Sequence, residues 1–188
     1  MACLPADGIR LEDKQFVTKA LMEAGADIRE LNAVRKHLAA LKGGRLAEAA
    51  WPATVVNLIV SDVVGNDPGV IASGPTYWDD STFLEARRVL ENRGIWERSP
   101  LRVRRVLEEG RKGRRPETLR RSHPVFKDMQ THILADIGTA LRAAAARAEA
   151  LGFETHLLDE ADSGEAREAA ARYARLLEQK LAEDGPGR

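Results

Sequence analysis

The sequence predicts an α/β protein, a three-layer, Rossmann-like arrangement of helices flanking a parallel sheet. Three observations carry this. Val55-Val56-Asn57-Leu58-Ile59-Val60 is a short β-branched run bounded by Pro52 and by a Gly/Asp/Pro cluster, as buried strands of parallel sheets are. The loop from Ser61 to Thr76 follows it directly, at a strand's carboxyl end, where open α/β sheets bind ligands. In the last third, apolar runs at 132–135 and 153–158 bracket an alanine-rich helical stretch, the pattern of a right-handed crossover between parallel strands.

The elements follow in order. Leu11 to Ala24 reads as a helix with Phe16, Val17, Ala20, Leu21 and Ala24 on its apolar face, ended by Gly25. Asp27 and Glu30 form a capping box for a second helix. Its stripe Ile28, Leu31, Val34, Leu38 and Leu41 carries it to the break at Gly43-Gly44. A strand is expected near 54–60. Thr82 with Glu85 opens a helix through about Asn92, and Ser99-Pro100 opens another ending near Gly110. Residues 111–124, basic and broken by Gly113, Pro116 and Pro124, read as a surface connection. His132–Ala135 is a strand, Thr139–Leu151 a helix stopped by Gly152, and Phe153–Leu158 a further strand. Asp162 and Glu165 then cap a helix through about Leu181.

Bulk composition narrows the function classes. A chain of 188 residues can bury a core as one domain. Its 29 basic and 29 acidic residues cancel, so neither nucleic acid nor an anionic membrane is an expected partner. The stretch Arg102 to Arg121 holds nine Lys/Arg against three acids, which on a neutral molecule reads as a solvated face. A single cysteine, Cys3, excludes an internal disulfide and suits a reducing compartment. No apolar run approaches the ~20 residues that cross a bilayer, and Met1 to Asp7 has neither the basic region nor the hydrophobic core of a signal peptide. A cytoplasmic location is expected.

Two places can carry chemistry. If the second helix runs to Lys42, Arg35 and Lys42 share a face about two turns apart. With Arg45 beyond the Gly-Gly turn, three cations can then grip a phosphate or a carboxylate. The competing reading is a solvated basic helix face ending in a glycine cap. In the loop after the strand, Asp62 and Asp67 can hold Mg²⁺, or Asp62 can take a proton from an attacking hydroxyl. Ser61, Ser73 and Thr76 offer hydroxyls, and Gly74 leaves backbone N–H groups open to an anion. The competing reading there is a pair of ordinary turns at Asn66-Asp67-Pro68 and Ser73-Gly74-Pro75. Neither G-x-x-x-x-G-K-[ST] nor G-x-G-x-x-G is present.

Taken in order, Gly25-Ala26-Asp27-Ile28, Leu31 to Leu38, Lys42-Gly43-Gly44-Arg45-Leu46-Ala47 and the loop from Ser61 to Thr76 resemble the glycerate 2-kinase family. That family is also called MOFRL-type or class II glycerate kinase, and some members are labelled hydroxypyruvate reductase. The likeness runs from about Gly8 to Ala170. It implies ATP-dependent phosphorylation of D-glycerate to 2-phosphoglycerate with Mg²⁺. Lys42 and Arg45 match the family's Lys-Gly-Gly-Arg, Ser61, Asp62 and Asp67 its Ser-Asp-Val…Asp loop, and Ser73 to Thr76 its Ser-Gly-Pro-Thr. Among these we expect Lys42 and Asp62 to be catalytic, Arg45, Ser61, Ser73, Gly74 and Thr76 to bind substrate or phosphate together with Arg35 from the helix spacing, and Asp67 to bind metal. Family members are longer, with a glycine-rich loop upstream and a MOFRL-type domain downstream. Residues 1–188 are therefore expected to be part of the N-terminal α/β domain, with an incomplete sheet and no self-sufficient turnover. Where members often carry Ile-Gly-Ser-Asn-Arg, this chain has Leu134-Ala135-Asp136-Ile137-Gly138. The alternative is a non-catalytic remnant that binds glycerate, a phosphorylated acid or a partner polypeptide. A homodimer is left open. A hydride-transferring reductase is disfavoured, since no dinucleotide fingerprint is present.

Overall fold

The computed structural model describes residues 3–158 and 165–184. They form a mixed α/β structure in which helices flank a two-stranded parallel sheet. The chain divides into two compact units, Met1–Leu134 and Ala135–Arg188.

In the first unit, helix α1 (Leu11–Glu23) ends at Gly25 as expected, with the Ala26 N–H closing back on Leu21 O at 3.0 Å. Helix α2 (Ile28–His37) opens on the expected capping box. Asp27 Oδ1 accepts from the Glu30 N–H at 2.9 Å, and Glu30 Oε2 accepts from the Asp27 N–H at 3.0 Å. Unlike the expected helix, α2 stops at His37. Residues 38–40 instead pair with the N-terminal segment: Pro5 faces Ala39 in an antiparallel bridge, and the Ala6 N–H donates to Leu38 O at 3.1 Å. A short helix α3 (Arg45–Ala50), absent from the sequence reading, follows the Gly-Gly turn.

Helix α4 (Phe83–Asn92) is capped by the Thr82 hydroxyl accepting from the Glu85 N–H at 3.1 Å. Helix α5 (Leu101–Arg111) begins after Pro100, but Ser99 is not its cap. The Ser99 hydroxyl turns back to donate to Ile95 O at 2.9 Å. Val17 and Leu21 of α1, Val34 of α2, Phe83 and Leu90 of α4, and Val103 and Leu107 of α5 form the main core. Phe16 and Ile28, expected on buried faces, are exposed.

The connection after α5 is not a surface strap. Thr118 and Leu119 are buried, and the Leu119 N–H donates to Gly43 O at 3.1 Å. It forms a floor under the Gly-Gly turn, with Leu119, Val125 and Ala47 as a second small core.

Strand β1 (Val56–Val60) pairs with β2 (Gln130–Ala135), and Asn57 Nδ2 donates to Thr131 Oγ1 at 3.1 Å. The expected full burial of β1 does not occur. Val56, Leu58 and Val60 are 52%, 65% and 75% exposed. A parallel strand is buried only where other elements cover both faces, and here only Asn57 and Ile59, on the alternate positions, are half-buried.

The second unit carries helix α6 (Ile137–Ala150), capped by Asp136 Oδ1 accepting from the Thr139 N–H at 2.7 Å. Helix α7 is Ala166–Asp184. The expected strand at 153–158 does not form. An extended segment needs a neighbour for its backbone groups, and no described residue pairs with it. Asp162, expected as a cap, lies outside the described residues.

Candidate anion-binding site

The site is built from two irregular segments held together by their main chains. After β1, Ser61 is buried and its Oγ accepts from the Val63 N–H at 3.2 Å. Asp62 is exposed, as is Asp67, whose Oδ1 accepts from the Gly69 N–H at 2.8 Å. The chain then bends through three left-handed residues, Ala72 (φ 52°), Ser73 (φ 64°) and Gly74 (φ 57°). A left-handed run with two non-glycine residues is strained. It is held by Asn32 of α2, which accepts from the Ser73 hydroxyl at 2.7 Å and donates to Val70 O at 3.3 Å.

The second segment is Lys42-Gly43-Gly44-Arg45. The Gly43, Gly44 and Leu46 N–H groups donate to Ser73, Gly74 and Pro75 carbonyls at 3.2, 2.9 and 3.0 Å. Both glycines are required twice over. Their φ values of 60° and 83° are left-handed, and a Cβ would lie 2.6 Å from Thr118 Cγ2 at Gly43 and 2.8 Å from Phe126 Cζ at Gly44.

This clip places Lys42, only 4% exposed, with Nζ donating to Ala72 O at 2.6 Å. No described carboxylate pairs with it. Burial, then the charges of Arg35 and Lys14, push its ammonium down to about 8; Cys3 opposes them and Lys36 adds to them. Lys14 of α1 is lowered for the same reasons, burial first and Arg35 among the rest, and its Nζ donates only to Cys3 O at 3.3 Å. Arg35 is half-buried and makes no hydrogen bond or ion pair with any described residue. It lines a groove of about 420 Å³ together with Val63, Val64, Val70, Ala72 and Ser73. Uncompensated cations beside a groove are what an anion site requires.

The structure thus brings together Arg35, Lys42 and Ser73 of the residues predicted from sequence. It does so through the 38–44 turn and not along one helix face. Arg45 points elsewhere: its Nη1 donates to Lys36 O at 2.9 Å and Ala39 O at 3.1 Å, and Nη2 to Pro116 O at 3.4 Å. It caps the carboxyl end of α2. The Gly74 N–H, expected to be open to an anion, donates to Ile71 O at 2.9 Å. Thr76 lines a second pocket of about 320 Å³ with Ala72, Pro75, Tyr77 and residues 56–59 of β1. Asp62 and Asp67 stand on the loop, outside the groove lining. No group of three or more His, Cys, Asp or Glu side chains gathers among the described residues.

Sequence reasoning missed Lys14, which sits in an unremarkable amphipathic helix, and the buried pair beneath the site. Lys36 Nζ lies 2.9 Å from Asp79 Oδ1, while the Ser81 and Thr118 hydroxyls each donate to Asp79 Oδ2 at 2.8 Å. Burial pushes Asp79 up, but Lys36 and the two hydroxyls outweigh it and leave the carboxyl below its usual range.

Comparison with known proteins bears on this geometry. A family model described as a domain of unknown function, DUF4147, matches residues 1–108. A glycerate 2-kinase of Pyrococcus horikoshii is 40% identical over 182 residues, covering 97% of this chain and 40% of that protein. A putative hydroxypyruvate reductase of Agrobacterium vitis is 44% identical over 170 residues, covering 90% of this chain and 42% of that protein. The crystal structure of a glycerate kinase from Thermotoga maritima superposes with a TM-score of 0.73 at 36% identity, covering 98% of this chain and 42% of that one. The chain therefore spans about two fifths of the length of these relatives.

Proposed function

The chain belongs to the DUF4147 family, and from that membership we propose that it carries the phosphate-handling side of a glycerate 2-kinase site. The reaction is transfer of the terminal phosphoryl group of ATP to the 2-hydroxyl of D-glycerate. One observation carries the reading: Lys42 is buried without an acid partner, beside Arg35, at the loop that follows β1.

Phosphoryl transfer needs positioning and charge neutralisation more than covalent chemistry. Lys42 holds Ala72 O through one N–H and has two more to give an incoming oxyanion. Arg35, free of protein partners, supplies a planar set of donors at the groove wall. Ser73, fixed by Asn32, shapes the groove floor, and Arg45 acts by holding the turn. In this reading Asp62, exposed on the loop after β1, accepts the hydroxyl proton. Asp67 keeps one carboxylate oxygen off Gly69 and suits Mg²⁺, which takes one or two carboxylates and completes its shell on phosphate oxygens. The ion supplies charge neutralisation at the transferred group when bound.

The test is turnover of Mg-ATP and D-glycerate by a full-length glycerate 2-kinase in which this chain replaces the matching segment. 2-Phosphoglycerate should form, and Lys42→Met should lower kcat/KM about a hundredfold, the worth of one strong charge-assisted bond. Undiminished turnover in a folded Lys42→Met protein would remove Lys42 from the site. A second reading, binding of a phosphorylated acid without turnover, is favoured by the position of Asp62 outside the groove lining. Ligand binding with no product would select it.

A further inference from the structure

Three buried or half-buried cations come from three elements: Lys14 from α1, Arg35 from α2 and Lys42 from the turn before α3. The N-terminal segment brings the first to the last. Pro5 faces Ala39, the Ala6 N–H donates to Leu38 O at 3.1 Å, and the Ala40 N–H donates to Leu4 O at 3.0 Å. Lys14 Nζ donates to Cys3 O, the residue before Leu4, so its ammonium is held on the segment that pairs with residues 38–40, near enough to Lys42 for each charge to act on the other. Lys14 is 9% exposed and Lys42 4%. Each ammonium has one carbonyl partner and two donors to spare.

Burying cations with a single neutral acceptor is unfavourable, and gathering three adds their mutual repulsion. Arg35 lowers both lysines and Lys14 lowers Lys42, while Cys3 works against this at both. A bound anion removes both costs at once.

We propose that Lys14 is a third ligand-binding cation of this site, and that Lys14, Arg35 and Lys42 together receive a phosphate dianion in preference to a carboxylate. A carboxylate brings one charge and two oxygens. A phosphate monoester brings nearly two charges and three oxygens, which suits donors arriving from three directions. The assignment rests on the phosphoryl-transfer reading for its biological meaning. Its binding claim stands on this geometry.

Inorganic phosphate is the probe, titrated calorimetrically into the chain at pH 7, with acetate as the carboxylate control. Phosphate should bind about tenfold or more tightly than acetate. Lys14→Gln should weaken phosphate about tenfold, Lys14→Arg should retain most of the affinity, and Lys19→Gln, exposed on the same helix, should change nothing. Phosphate should also protect Lys14 of the unaltered chain from acetylation by acetic anhydride, read by mass spectrometry. That arm needs no variant to fold.

Equal affinity in folded Lys14→Gln, or labelling of Lys14 unchanged by phosphate, overturns the role of Lys14 while leaving Lys42 in place. Acetate binding as tightly as phosphate overturns the selectivity. Absence of turnover with phosphate still bound would count against the kinase reading alone.

Discussion

Lys42 sets the pH behaviour of the site. With its ammonium pushed down to about 8, it is charged at pH 7 and loses its proton as the pH rises through that value. Phosphate affinity should therefore be greatest between about pH 7 and 8, where the ligand is largely dianionic and Lys42 still charged, and fall on either side, measurable by titration at constant ionic strength. Stability runs the other way. Between about 8 and the ordinary lysine value of about 10.4 the unfolded chain holds this proton and the fold does not, so Lys42 makes stability rise with pH there. Lys42→Met should for the same reason stabilise the fold at pH 7, by about 1 kcal/mol in urea unfolding. Asp79 behaves oppositely. Its folded carboxyl is lower than its unfolded one, so its contribution is full above about pH 4 and is lost as the pH falls through the folded value. Asp79→Ala leaves Lys36 buried and unpaired and should cost about 3–5 kcal/mol in urea unfolding. These two residues stand 43 positions apart, and no local pattern joins them. Lys42 was legible because it sits in a Gly-Gly turn. Lys14 was not, because at sequence level it is one more polar position on α1.

Among the elements, helices were read best where caps and glycines announce them, as at Gly25, Asp27, Thr82 and Gly152. The misjudged end of α2 has a tertiary cause. Its periodic stripe continues to Leu41, but the Arg45 guanidinium takes the Lys36 and Ala39 carbonyls, and the N-terminal segment draws residues 38–40 into a bridge. A single-sequence periodicity contains neither partner. The turn this creates has no room for side chains. Gly43→Ala and Gly44→Ala should each destabilise by more than about 1 kcal/mol, through left-handed strain and collision with Thr118 or Phe126. Weakened phosphate affinity should accompany the loss in a calorimetric titration of whichever variant stays folded. A Gly44→Ala protein with unchanged urea midpoint would contradict both the left-handed strain and the collision with Phe126.

Over the whole molecule, the α/β class was legible from one β-branched run and a crossover pattern, while the extent of the sheet was not. The residues of β1 that the sequence assigns to a buried sheet form an exposed apolar face of Val56, Leu58 and Val60. Such faces bind dyes and one another. Leu58→Lys should reduce dye fluorescence and self-association in sedimentation without lowering phosphate affinity, because the face and the Arg35 groove share no residue. Among the described residues no helix is long and apolar enough to cross a membrane. If Lys42 receives the phosphoryl group of a glycerate ligand, as proposed, titration of 2-phosphoglycerate into the folded 188-residue chain and into Lys42→Met tests it most directly. The expected result is saturable binding that weakens by about tenfold or more in the variant with unchanged circular dichroism. No binding, or binding indifferent to Lys42, would contradict it.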